Sequence, residues 1–189
     1  MKKVLLSILF LATVLPLSHT AAAQSGSSSL DNQLLKACET SDAATVQQLL
    51  NKGANIEAKD RTIGETALIC AAENGNTDVV RLLLANGAKI EVKDNFTGGT
   101  ALIQAAYNGK IDAVKLLLAK GAKIDARDND GNTALMGAAE EGHTEIVRLL
   151  LAKGANIEAR NDKGETALNK AQSRGKTEVV KLLEEHGAH

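Results

Sequence analysis

Tryptophan is absent, and the 189 residues hold only one tyrosine, two phenylalanines, one proline and two cysteines. Phe10 and Pro16 both fall within the first 23 residues, so Phe96 and Tyr107 are the only aromatics beyond them. A chain of this length could form one globular domain, but a core built almost without aromatics points instead to many small, similar layers of Ala, Leu, Ile and Val. An excess of charge is missing too, since 22 Lys and Arg face 23 Asp and Glu. Such a mixed surface gives no electrostatic reason to expect nucleic acid or an anionic membrane as a partner. The mainly apolar run 4–17 is shorter than the roughly 20 residues that span a bilayer. No glycine-rich phosphate loop, zinc-protease helix motif or nucleophile elbow occurs, and with them go the usual signatures of phosphate, metal and acyl-transfer chemistry. The expectation is a protein with no catalytic residues, no metal site and no cofactor.

The start of the chain has its own pattern. Lys2 and Lys3 precede the apolar run, and Ala21-Ala22-Ala23 supplies small residues at its end, a three-part arrangement that predicts a secretory signal peptide over 1–23. Its removal would leave twenty bases against twenty-three acids, a formal charge of −3. The mature chain is then expected in the periplasm or outside the cell, free of the membrane and monomeric. Residues 24–29 are small and polar and are expected to form a disordered lead-in.

From residue 30 onward the sequence repeats itself. Thr66-Ala67-Leu68 recurs as Thr100-Ala101-Leu102, Thr133-Ala134-Leu135 and Thr166-Ala167-Leu168, at spacings of 34, 33 and 33. Gly53, Gly87, Gly121, Gly154 and Gly187 recur independently at 34, 34, 33 and 33. Two unrelated landmarks sharing one period mark a repeat architecture, with units at about 30–63, 64–97, 98–130, 131–163 and 164–189. Each unit reads as two short helices. Thr66 can cap the first with its hydroxyl, Leu68, Ala71 and Ala72 give that helix a narrow apolar face, and Gly75 ends it. Val79, Val80, Leu82, Leu83 and Leu84 give the second a wider one, and Gly87 suits the left-handed position after it. In the connections, Glu57, Glu91, Asp125 and Glu158 form one ladder and Lys59, Lys93, Arg127 and Arg160 another, expected to be a solvated face of offsetting charges.

The pattern Gly64-x-Thr66-Ala67-Leu68-x-x-Ala71-Ala72-x-x-Gly75, followed by Val79-Val80-x-Leu82-Leu83 and Gly87-Ala88, resembles the ankyrin repeat. As an exported chain it is similar to small bacterial periplasmic or secreted ankyrin proteins. The resemblance implies an all-α solenoid of about five helix-turn-helix units joined by hairpin-like loops, binding another protein through its hairpin tips and concave helix face. Two departures are systematic: the family's proline after the threonine is alanine in all four copies, and its histidine is Ile69, Ile103, Met136 or Asn169. The helix start thereby exchanges a preset φ and a side-chain hydrogen bond for apolar burial.

Within that frame, two tips are one residue longer than the rest, 59–63 and 93–97, and each carries a large apolar residue, Ile63 or Phe96. Tyr107 ends a first helix where Glu39, Glu73 and Glu140 stand in other units. Aromatics dominate interface hot spots, so the expected partner-binding patch is Ile63, Phe96 and Tyr107, edged by Arg61, Glu73, Asn74 and Asn108. The competing reading is that Ile63 and Phe96 cover each other across adjacent tips. Cys38 and Cys70 lie in adjacent units, whose helices would be about 8–10 Å apart, whereas bonded cysteines need Cα atoms about 4.4–6.8 Å apart. Two small, partly buried thiols are therefore expected, with a Cys38–Cys70 disulfide as the alternative. Two other functions stay open at this stage: an exported effector that binds a host protein, and a thiol-dependent enzyme or redox protein using Cys38 or Cys70.

Overall fold

The computed structural model describes the backbone of residues 18–189, with side chains from residue 29 onward. Residues 1–17 of the expected signal peptide lie outside the described residues. Among the described residues there are ten helices, α1 (Ser18–Glu39), α2 (Ala43–Asn51), α3 (Ala67–Asn74), α4 (Thr77–Ala85) and α5 (Ala101–Tyr107), then α6 (Ile111–Ala119), α7 (Ala134–Glu141), α8 (Thr144–Ala152), α9 (Ala167–Ser173) and α10 (Thr177–Glu185). They pair as five successive units, and the extended structure is confined to one isolated bridge, Lys59 with Thr66. The backbone is helical through 24–29, where a disordered lead-in was expected; Ala21, Ala22 and Ala23 favour helix and no proline intervenes.

The helix starts follow from the threonines. The hydroxyls of Thr66, Thr100, Thr133 and Thr166 accept the N–H groups of Ile69, Ile103, Met136 and Asn169 at 3.5, 3.4, 3.4 and 3.3 Å. The replaced histidine position is buried at Ile69, Ile103 and Met136. In the last unit it is exposed, and there the polar Asn169 returns the bond by accepting the N–H of Thr166, completing a capping box. Glycines with positive φ end the first helices at Gly75 and Gly142. Unit one places Ser41 at that position, the one non-glycine residue with positive φ among the described residues.

Packing fixes the curvature. Ala67, Ala71 and Ala72, Ala101, Ala105 and Ala106, and Ala134, Ala138 and Ala139 are all fully buried. Side chains this small let α1, α3, α5, α7 and α9 lie close, and they pack together more extensively than α2, α4, α6, α8 and α10 do. The first helices thus form the inner, concave side of the stack. Leu83, Leu117, Leu150 and Leu183, all buried, bind each second helix to the common core.

The two charge ladders do more than offset one another. Glu57, Glu91, Asp125 and Glu158 accept the backbone N–H groups of Lys89, Lys123, Asn156 and His189 at 2.7, 2.8, 3.0 and 3.2 Å. Lys59 and Lys93 donate to the carbonyls of Lys93 and Arg127 at 2.7 and 2.6 Å, and Arg127 donates to that of Arg160. Each rung is a bond from one unit's side chain to the next unit's backbone. A solvated face of offsetting charges was expected; one period of about 33 residues puts backbone polar groups of the next unit within reach of each long side chain, and those groups need partners. The tips are joined as well, through Asn95 N–H to the carbonyl of Ile63 and Asn129 N–H to that of Thr97, both at 2.8 Å.

Candidate functional site

Ile63, Phe96 and Tyr107 are the large apolar side chains exposed among the described residues, at 38, 76 and 43 %. Ile63 and Phe96 belong to adjacent tips, whereas Tyr107 ends α5, about 10 Å of helix away at 1.5 Å per residue. Tyr107 turns toward α7. Together α5 and α7 enclose a groove of about 280 Å³ with Ile103, Gln104, Tyr107, Gly137 and Glu140 along its walls and the tip residues Thr97 and Asp128 at its mouth.

Tyr107 is held from three directions. Partial burial, and then the negative charge of the Glu141 carboxylate that its hydroxyl meets, push its pKa up. Its carbonyl accepts a ring N–H from His143 at 2.9 Å. A Cβ built on Gly137 would meet the Tyr107 Cβ at 3.5 Å, ordinary contact, so this helix-interior glycine sets how deep the groove runs. Helix-interior glycine costs about 0.5–1 kcal/mol relative to alanine. His143 occupies the N-cap position of α8, but it makes no side-chain cap bond there and serves α5 of the preceding unit instead.

The polar groups around the groove are mostly engaged. Gln104 donates to Thr97 Oγ1 at 3.0 Å and Asp94 Oδ2 at 3.3 Å. Asp94 and Asp60 anchor their tips by accepting several N–H groups; burial, which acts the other way, is outweighed, and the Asp60 carboxyl is pushed down to about 2. Of the residues expected to edge the patch, Asn74 and Asn108 spend their amides on the carbonyls of Cys70 and Gln104, at 2.9 and 3.0 Å. Arg61 is exposed at the first tip, and Glu73 is half-buried on α3.

Carboxylates of the concave face have contrasting surroundings. Glu140 is bound by Arg174 through Nε at 3.0 Å and NH2 at 2.7 Å, and by Lys170 at 3.3 Å. Burial works against its charge, but these cations outweigh it and hold its pKa below the usual value. Glu65 is pushed up to about 8, first by burial and then by a hydrogen bond and charge repulsion from Glu73, with Asp60 and Asp94 adding to it.

Cys38 and Cys70 are free and buried, and burial pushes both thiols up to about 12. The thiolate is the nucleophilic form, so neither sulfur is poised for thiol chemistry. His186, near His189 in the sequence, directs Nδ1 to the carbonyl of Leu182 at 2.8 Å. Gly137, Gln104 and Ile103 were not singled out from the sequence. The available signal was Gly137 itself, a glycine inside a helix where the other units carry Lys36, Cys70, Gln104 and Lys170.

No helix among the described residues is long and apolar enough to cross a membrane. Comparison with curated proteins found no match. The family model for ankyrin repeats (three copies) matches over residues 18–128, 86–161 and 102–189. Together these spans cover the whole of the described stack, and the chain belongs to the ankyrin repeat family.

Proposed function

We propose that this protein is a noncatalytic scaffold that binds another protein through its tips and concave face, as a monomer in the periplasm or extracellular space. Ankyrin repeats generally mediate binding to other proteins. The observation that carries the reading here is the placement of Ile63, Phe96 and Tyr107: all three exposed large apolar side chains lie on the tips or the concave side. Rigid stacking and bonded tips mean that little order remains to be imposed on binding, which lowers its entropic cost. Buried thiols of high pKa and the absence of nucleophile motifs speak against the thiol-enzyme reading.

Export rests on the leading segment, with Lys2 and Lys3, the apolar run 4–17 and the alanines before Gln24. Cleavage after Ala23 would shorten α1 without touching Leu34, Ala37 and Cys38, which hold it to the core. Intact mass of the exported protein reads this directly: a mature chain starting at Gln24 is expected, and a full-length chain retained in the cytoplasm would overturn it. The binding reading is tested by crosslinked pull-down from the exported fraction, beside an Ile63→Glu, Phe96→Ala, Tyr107→Ala variant. A protein recovered by the native chain and lost with the variant is expected. Equal recovery would place the interface elsewhere on the stack.

A further inference from the structure

We infer that the α5–α7 groove receives an extended segment of the partner protein bearing an arginine or lysine, whose cationic group lies over the exposed face of the Tyr107 ring. This rests on the scaffold reading above and names the chemistry of the partner. The size of the groove is the first argument. At about 280 Å³ it falls just below the range of about 300–1,000 Å³ typical of small-molecule pockets, and it is open along its length between two helices. One side chain of a passing strand fills such a slot.

The ring is the second argument. Tyr107 is 43 % exposed, while its hydroxyl meets the Glu141 carboxylate and His143 donates to its backbone carbonyl. A tyrosine whose hydroxyl already has a partner offers a ligand its π face. A cation within about 6 Å of a ring centroid is drawn to that face, by about 0.5–2 kcal/mol.

Charge selects the cation over an apolar alternative. The three central first-helix segments, 65–75, 99–109 and 132–142, contain the carboxylates Glu73, Glu140 and Glu141, beside a Glu65 that keeps its proton to about pH 8, and no lysine or arginine. The bases of the first helices lie only at the ends of the stack, Lys36 in α1 and Lys170 in α9 with Arg174 just after it. Glu140 is matched internally by Lys170 and Arg174. One unit earlier, Glu73 holds on α3 the place that Tyr107 holds on α5, and it faces Glu65. An acidic centre bracketed by basic ends draws a basic segment to the middle of the concave face and sets its register.

The test uses the mature protein, isotopically labelled, and a seven-residue peptide with a central arginine between leucines, alongside the same peptide with citrulline or glutamate instead. Chemical-shift titration should place the arginine peptide at Gln104, Tyr107 and Gly137. Binding should be about tenfold weaker with citrulline and about tenfold weaker again for Tyr107→Ala. Glu73→Gln should weaken it less, and rising salt should weaken it in the native protein. Equal binding of the citrulline or glutamate peptide, shifts confined to the tips or second helices, or no shifts with any peptide would each overturn the inference. Far-UV circular dichroism of Tyr107→Ala guards against a folding loss. Should the arginine peptide fail while partner capture still depends on Ile63, Phe96 and Tyr107, this inference falls and the scaffold reading stands. Should capture be independent of them too, both fall.

Discussion

Glu65 and Glu165 stand at the same place in two units, one residue before the capping threonine, yet their carboxyls are pushed in opposite directions. Glu165 is held below its usual pKa by a hydrogen bond from Asn161 and by the nearby Lys170, offset in part by burial. Glu65 meets burial and the carboxyl of Glu73, and rises to about 8. Position 170 explains much of the contrast. Lys170 reaches back to Glu140 and also to Glu165, at 3.3 and 3.5 Å, whereas the equivalent residues are Cys70 in the second unit and Gln104 in the third. The repeat therefore fixes where a carboxylate sits but not its charge state, which depends on neighbours such as Glu73 and Lys170. The C-terminal end of the concave face pairs its acids with cations, and in the middle Glu65 and Glu73 meet each other.

That contrast should be one of surface and not of core. Leu83 and Leu150 occupy equivalent, fully buried positions in the two halves, and each change to alanine should cost about 2–5 kcal/mol. Denaturant unfolding would show this, and a loss in one half but none in the other would mean that the halves differ in packing. A smaller effect is expected from Lys170→Met. It leaves the half-buried Glu140 with only Arg174 and should cost about 1.5–3 kcal/mol, the range for hydrogen bonds to charged groups.

The smallest effect is on pH dependence. Glu65 ionises near pH 8 in the fold and near its ordinary 4.5 when unfolded, so between those values the folded chain holds the additional proton. Its contribution to stability is therefore complete below about pH 4.5 and declines as pH rises toward 8. Glu65→Gln should flatten that decline in a series of melting curves. Gln104→Lys should flatten it partly, by giving Glu73 the neighbour that Glu140 has in Lys170. Identical pH profiles for all three proteins would remove the distinction between the two ends of the concave face.

The fold was legible in the sequence because each of its causes is local and repeated. Thr66 and its counterparts cap, Gly53 and its counterparts turn the chain, and the alanines mark the close-packed side. Ile63, Phe96 and Tyr107 could be picked out as breaks in an otherwise regular pattern, and all three are exposed. That Tyr107 lies against α7 could not be read, because a linear pattern does not tell which neighbour a helix-end side chain turns toward. The bonds of the ladders could not be read for a related reason: Glu57 and Lys59 find partners 32 and 34 residues ahead, among backbone atoms that carry no sequence signal. Gly137 was visible only as an unlike residue at its position, and its meaning depends on Tyr107 lying above it.

Site-specific photocrosslinking in the producing cells tests the central claim most directly, with a photoreactive phenylalanine analogue replacing either Tyr107 in the concave groove or Lys115 on α6. The account predicts a protein adduct from position 107 and none from position 115. Adducts from position 115 alone would contradict it and place the working surface on the second helices.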